Sequence, residues 1–261
     1  MPMNRRPGHA PHPLMRREMQ VASDPLTRKL EGFGTLGAED RAWLAQLCDG
    51  AFVVPARTDL IREGDVPNGL FVILDGMACR FKLRPSGARQ ITAYMIPGDF
   101  CDLDLALRPR MDQGLSTLST CRVVRLDVET IDRLTANPGN IVRAMRRATL
   151  VDDATLREWL VNVGSRSAIE RIAHLFCELL MRFRAVGLAH GDSYDLPVSQ
   201  LDLADTTGLS TVHVNRTLQE LKRQGLIELR SRSLMIRDLP GLQSLGEFDP
   251  GYLSLGTQIA A

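Results

Sequence analysis

Between Ala51 and Asp127 the apolar positions fall in short runs of β-branched and aromatic residues: "AFVV", "GLFVILD", "ACRFKLR", "RQITAYMI" and "CRVVRL". Gly64-Asp65, Asp75-Gly76, Ser86-Gly87 and Pro97-Gly98 punctuate them at roughly ten-residue intervals, the spacing of strands in an antiparallel sandwich or barrel. Ahead of this region, "EDRAWLAQLC" reads as a short helix. Beyond it the period turns helical: "VETIDRLTAN" is one helix, and Pro138 stands where a second begins. That second helix is predicted from Gly139 to about Val163, roughly 37 Å long at 1.5 Å per residue.

Within it Val142, Met145, Thr149, Asp152, Leu156, Trp159 and Val163 alternate by three and four, the seam of a coiled coil. This seam is expected to form a dimer. The plainer alternative is a helix packed on its own β domain, and because Leu150, Leu160 and Val161 are apolar off the seam, one helix can do both. "GSRS" at 164–167 breaks the period and makes a hinge. "SAIERIAHLFCELLMRF" is a further amphipathic helix, and residues 187–195 read as a loop. "PVSQLDLADTTGLS" leads into the helical stretch "TVHVNRTLQELKRQG", and two strands, "LIELR" and "SLMIRD", follow around Ser231-Arg232-Ser233. Helix, helix, helix and hairpin is the order of a winged helix. The expected organisation is a tail over 1–23 without a folded core, a β domain over 24–137, a dimer helix and hinge over 138–164, a winged helix over 165–238, and a tail over 239–261.

The chemistry concentrates in the winged-helix half. Ser199 with Asp202 three residues on is a capping-box start, Gly208 permits a tight turn, and Ser210 caps the next helix. An alanine at 204, a glycine four residues later and Val214 six after that give the spacing of a helix-turn-helix, whose second helix enters the major groove of DNA. Val214, Leu218 and Leu221 bury one stripe, while Thr211, His213, Asn215, Arg216 and Gln219 point outward without a carboxylate among them. Arg216 is the expected base reader, since a guanidinium grips guanine O6 and N7 together. Asn215 suits adenine, and Ser199, Ser210, Thr211 and His213 suit phosphates or base edges. Arg230 and Arg232 on the hairpin, with Lys222 and Arg223, are placed for phosphate contacts. Thr217 departs from the pattern, standing where an aliphatic residue is usual.

Composition limits the alternatives. The 261 residues are 44% hydrophobic and 24% charged with a net charge of +1, so an anionic partner must be met by a local patch. No apolar run approaches the eighteen or so residues of a membrane span, and the start has no signal-peptide core, so a cytoplasmic location is expected. The five cysteines form no C-x-x-C pair, which fits reduced, mostly buried thiols. There is no glycine-rich phosphate loop, no H-E-x-x-H and no G-x-S-x-G, and His190 with Asp192 reads as a turn, so an enzyme is not expected.

From about Asp24 to Asp238 the chain resembles the bacterial regulators typified by the cyclic-AMP receptor protein and the fumarate-nitrate regulator, the CRP/FNR family. "LIREGDVPNGLFVILDGMACRF" and "YMIPGDF" resemble its glycine-marked β-roll, and the long helix and winged helix follow in the same order. The resemblance implies an α+β fold: an N-terminal cyclic-nucleotide-binding-like β-roll (a double-stranded jelly-roll), a long dimerisation helix and a C-terminal winged helix-turn-helix. It also implies a homodimer, double-stranded DNA and RNA polymerase as partners, and recognition helices about 34 Å apart on a pseudo-palindrome. A module of the same β-roll type that regulates a partner protein without touching DNA is the competing reading.

The family's ligand residues depart. Where a cyclic-nucleotide binder shows Gly-Glu and then Arg-Ser, this chain has "CDLD" and "RPRMDQG", leaving Asp102 or Asp104 for a ribose and Arg108 or Arg110 for a phosphate, and Leu156-Arg157 replace a Thr-Ser pair. Cyclic AMP is therefore not expected as the effector, and no cofactor is predicted. Residues 1–47 hold no cysteine for an iron-sulfur cluster, and no histidine lies between His12 and His174 for haem. Cys101, at the mouth of the pocket, is a candidate thiol sensor beside its plainer reading as a packed cysteine. On the recognition helix the best-known members carry a glutamate and an arginine where this chain has Val212 and Arg216, so one base contact is lost.

Overall fold

A computed structural model describes residues 24–101, 103, 109–136 and 138–254. Two short helices open it: α1 (Pro25–Glu31), capped by the Asp24 carboxylate, and α2 (Ala38–Asp49). Seven strands follow: β1 (Phe52–Val54), β2 (Asp59–Ile61), β3 (Leu70–Asp75), β4 (Ala78–Leu83), β5 (Arg89–Met95), β6 (Gly114–Thr117) and β7 (Cys121–Leu126). They form two antiparallel sheets, β1-β7-β3 and β2-β6-β4-β5, facing each other as a roll. Gly76 makes the turn from β3 to β4 at φ +82°, and a Cβ there would stand 2.4 Å from the Thr120 carbonyl oxygen, so this turn admits glycine alone. The pattern of apolar runs missed β2 and β6. Both are short, and β2 slips register by a bulge between Asp59 and Ile61.

Helix α3 (Val128–Ala136) leads to α4 (Asn140–Ser165), the long helix. Its first half buries Ile141, Val142, Ala144, Met145 and Ala148 in the core of the roll. Its second half sends Trp159 into a different core, with α5 (Ala168–Ala185) and the winged helix. The predicted seam is therefore corrected. Val142, Met145 and Trp159 are buried in their own chain, Thr149 bonds back to the Met145 carbonyl, Asp152 pairs with Arg80, and Val163 is half-buried beside Gly208. Leu156 alone of the seven is exposed, and the open apolar face runs through Leu150, Leu156, Leu160 and Val161. The reason is register: the helix carries two apolar stripes, and packing of Val142 and Met145 on the roll and of Trp159 on the second core turns one of them inward.

Strand β8 (Ser193–Asp195) lies inside the predicted 187–195 loop, and it pairs antiparallel along one edge of β10. Helices α6 (Gln200–Thr207) and α7 (Thr211–Arg223) come next, then the hairpin β9 (Ile227–Arg230) and β10 (Ser233–Ile236), completing a three-stranded wing of order β8-β10-β9. The chain then folds back as α8 (Leu239–Leu245) and a 3₁₀ turn, Pro250–Leu253. This segment packs on α5 and reaches α4. Tyr252 Oη donates to the buried Glu178 carboxylate at 2.9 Å, and Trp159 Nε1 donates to the same oxygen at 2.8 Å.

The roll and the winged helix share one core. Met77, Cys79, Phe81, Ile91, Tyr94 and Ile96 of the roll lie in the cluster that holds Leu203, Ala204, Val214 and Leu221. Asp202 of α6, its side chain wholly buried, receives Arg57 in a bidentate pair at 2.7 and 2.8 Å and Arg89 at 2.7 Å. Burial works to raise the Asp202 pKa, but the hydrogen bonds from Arg57, Ser199 and Arg89 outweigh it and hold the carboxyl well below its usual range. Arg89 also pairs with Asp205 at 2.8 Å, and the Thr206 hydroxyl, which donates to the Asp202 carbonyl at 2.8 Å, accepts from the Tyr94 hydroxyl at 2.7 Å. Arg57 itself sits at φ +61°, a strained value for a side chain of its size, which lifts its guanidinium out of the β1–β2 turn toward α6.

Candidate nucleic-acid interface

The turn between α6 and α7 is built from local chemistry. The Ser199 hydroxyl accepts from the Asp202 amide at 3.1 Å, while the Asp202 carboxylate accepts from the Ser199 amide at 2.8 Å and its hydroxyl at 2.7 Å. Ser199 is thereby committed to capping α6. Gly208 ends α6 in the left-handed conformation, φ +68°, with its amide on the Ala204 carbonyl at 2.9 Å. The Ser210 hydroxyl then caps α7 through the His213 amide at 3.2 Å. Thr217 is buried without strain because its hydroxyl donates to the His213 carbonyl at 2.9 Å, one turn back.

With Val214, Thr217, Leu218 and Leu221 inward, α7 turns Thr211, His213, Asn215, Arg216 and Gln219 outward, all of them exposed. Among the described residues the Arg216 side chain has no hydrogen bond or ion pair. His213, Arg216, Gln219 and Arg223 line a groove of about 680 Å³ closed on its far side by Ser167–Ile169, at the capped start of α5. Glu220 also lines the groove, and the Glu170 carboxylate already accepts from the Ser167 amide at 2.7 Å, so among the described residues the groove's unpaired cation is Arg216. Asn215 donates its amide to Gln200 at 3.3 Å, tying α7 to the start of α6.

Not every predicted cation is free. Arg223 grips Glu220 at 2.6 and 2.8 Å, and Arg230 is paired with Glu228, which also holds Arg237. These carboxylates compete with phosphates for the two arginines. Arg232, exposed at the hairpin turn, has no side-chain partner among the described residues.

The candidate effector residues that are described, Cys101, Arg110, Leu156 and Arg157, do not converge. Asp102, Asp104 and Arg108 lie outside the described residues. Cys101 is buried in the roll, where the Phe71 amide donates to its Sγ at 3.2 Å. Arg110 is exposed and bonds the Gly64 carbonyl at 2.8 Å, and Arg157 is exposed on α4. Of the described candidates Leu156 alone reaches the cleft between roll and long helix, about 240 Å³, which is also lined by Arg80, Lys82, Tyr94, Asp152, Thr155 and Arg182. Its cations are engaged: Arg80 by Asp152 at 2.9 Å, Lys82 by Glu63 at 2.6 Å, and Arg182 by Asp99 at 2.7 Å and Glu178 at 3.1 Å. Asp112 and Asp153 add negative charge to the wall. Among the described residues, this lining offers a cyclic phosphate no unpaired cation. Sequence reasoning missed Arg80 and Arg182 because they come from a strand and from α5, with no motif between them.

Four of the five thiols are held in their protonated, unreactive form. Burial pushes Cys48, Cys79 and Cys177 up to about 12 and Cys121 up to about 11. Among the described residues no group of three histidine, cysteine, aspartate or glutamate side chains is placed to hold a metal, and no helix is long and apolar enough to cross a membrane.

Comparison with known proteins agrees with this division of labour. Residues 170–245 match a Crp-like helix-turn-helix domain, and residues 52–137 match a cyclic nucleotide-binding domain. The nitrogen fixation regulation protein FixK of Azorhizobium caulinodans is 27% identical over 226 residues, covering 85% of this chain and 90% of the relative. The transcriptional activator protein FnrA of Stutzerimonas stutzeri is 26% identical over 189 residues, covering 71% and 76%. FixK2 from Bradyrhizobium japonicum shares the fold with a TM-score of 0.66 at 23% identity, over 75% of this chain and 96% of that one. A CRP-family regulator from Thermus thermophilus, TTHB099, does so at 0.60 and 18%, over 75% and 96%. The relatives are regulators and not enzymes, and a helix-turn-helix match disfavours a module that leaves DNA untouched. Roll, long helix and helix-turn-helix stand in one order with a family model on each end, and the chain belongs to the CRP/FNR family of bacterial transcription regulators.

Proposed function

We propose that the protein is a homodimer that reads a pseudo-palindromic operator through the α7 helix of each subunit, with RNA polymerase as its downstream partner. The observation that carries this reading is Arg216: exposed, unengaged, and set on a helix whose first turn is fixed by the Gly208 turn and the Ser210 cap. Thr211, His213, Asn215 and Gln219 surround it with hydrogen-bonding groups, and Arg232 extends the cationic surface to the wing. The open apolar face of α4 supports the dimer.

The roll acts as the sensor, and its effector is not cyclic AMP, since the cations of the cleft are already neutralised from within the chain. DNA binding is expected to proceed without added cyclic nucleotide. The decisive experiment is a mobility-shift assay on a duplex selected from a random library. Arg216→Ala should weaken binding by roughly 10- to 100-fold per half-site and relax the requirement for one guanine, because a bidentate contact is worth about 1–3 kcal/mol. Arg232→Ala should weaken selected and unselected duplexes alike and lower the salt slope by about one. Unchanged specific binding in Arg216→Ala contradicts the proposal.

A further inference from the structure

On the outward face of α7 one side chain has no polar chemistry. Val212 is 70% exposed, and among the described large apolar side chains only Leu160, at 75% on α4, is more so. Its position on the helix is not peripheral. Val212 and the fully buried Leu221 are nine residues apart, about two and a half turns at 3.6 residues per turn, so they point in opposite directions. Val212 therefore crowns the exposed face, in the first turn, which is the part of a recognition helix that reaches base edges. Arg216 stands one turn further along the same side, and Asn215 and Gln219 flank it. An isolated exposed valine needs no explanation on an ordinary surface. Here it is ringed by side chains that suit base edges, at the point of closest approach to a duplex.

What such a group recognises follows from the major-groove edges. Guanine, cytosine and adenine present acceptors and amino donors there, and an isopropyl group pressed against them strips their water and returns no hydrogen bond. Thymine alone offers an apolar surface, its C5-methyl group. Resting on the reading of α7 as the recognition helix, we infer that Val212 is a specificity-determining residue that selects a thymine by contact with its methyl group, within one or two base pairs of the guanine held by Arg216. Val212 thus replaces a hydrogen-bond requirement with a shape-and-methyl requirement at one position of each half-site.

The test uses the full-length protein and the duplex selected by it, with each thymine replaced in turn by deoxyuridine, which removes the methyl group and keeps every Watson–Crick and groove hydrogen bond. At one symmetric position the replacement should weaken binding about fourfold per half-site, the factor that burying one methyl group supplies. In Val212→Ala the same replacement should cost less than about twofold. Val212→Glu, which gains an acceptor, should shift the preference at that position toward cytosine, whose amino group it accepts. Because the side chain is exposed, these variants are expected to keep the wild-type melting temperature. Tolerance of deoxyuridine at every thymine overturns the inference, as does an undiminished penalty in Val212→Ala. Failure to enrich any sequence would overturn the proposed function as well, whereas an enriched sequence indifferent to the methyl group overturns this inference alone.

Discussion

Replacing Leu160 by aspartate should turn a stable dimer into a monomer and lower operator affinity by more than about 100-fold, the usual gain from engaging two linked sites. Leu160 is 75% exposed in the single chain, at the centre of a face that includes Leu150, Leu156 and Val161. Fully burying a leucine is worth about 1.5–3 kcal/mol, and a two-fold interface counts every substitution twice. Aspartate removes that burial and sets two carboxylates against each other near the axis. Sedimentation equilibrium of wild type and variant reads the oligomeric state directly. Val66→Asp, which changes an equally exposed apolar side chain in the β2–β3 loop, should leave the dimer intact. A Leu160→Asp protein that remains a dimer would place the interface elsewhere.

The second large effect is expected at Asp202. Its removal leaves Arg57 without a partner, Arg89 with Asp205 alone and α6 without its capping carboxylate, so Asp202→Ala should destabilise the docking of the winged helix on the roll by about 2 kcal/mol or more. The upper figures for buried pairs do not apply, because the Arg57 side chain is 48% exposed and can return to water. Asp205→Ala, which takes one partner from Arg89, should cost less. Trp159 reports the change, since its ring stacks edge-on against Tyr94 at 5.7 Å across the junction and Trp43, the other tryptophan, lies in the roll. The pH dependence has a definite sign. The folded-state pKa of Asp202 lies below its unfolded value, so its contribution is complete above about pH 4 and is lost as pH falls through the folded pKa. Acid unfolding of wild type should therefore be steeper than that of Asp202→Ala. Equal acid and urea stability of the two proteins would show that the cluster is not what holds the halves together.

These contrasts mark what a sequence can disclose. The recognition helix was legible because its determinants are local: a left-handed glycine, two serine caps and a 3.6-residue apolar stripe act within a few residues of one another. The same holds for the roll, whose turns demand glycine at Gly64, Gly76, Gly87 and Gly98, each at positive φ. The face of the long helix was not legible. Two stripes of similar hydrophobicity run along it, and only the packing of Val142, Met145 and Trp159 decides which turns inward. The Arg57–Asp202 pair was invisible for another reason, joining residues 145 positions apart through side chains common on any surface. The effector cleft failed because the sequence signal was a family motif that this chain lacks, while the cleft's lining comes from strands, α4 and α5 together.

The central claim is that two copies of α7 sit in successive major grooves on one side of a duplex. Hydroxyl-radical footprinting of the wild-type protein on its selected duplex tests it most directly. The account predicts two protected patches related by two-fold symmetry and centred about 10–10.5 base pairs apart, both lost together in Leu160→Asp. A single protected patch, or protection without symmetry, would contradict it.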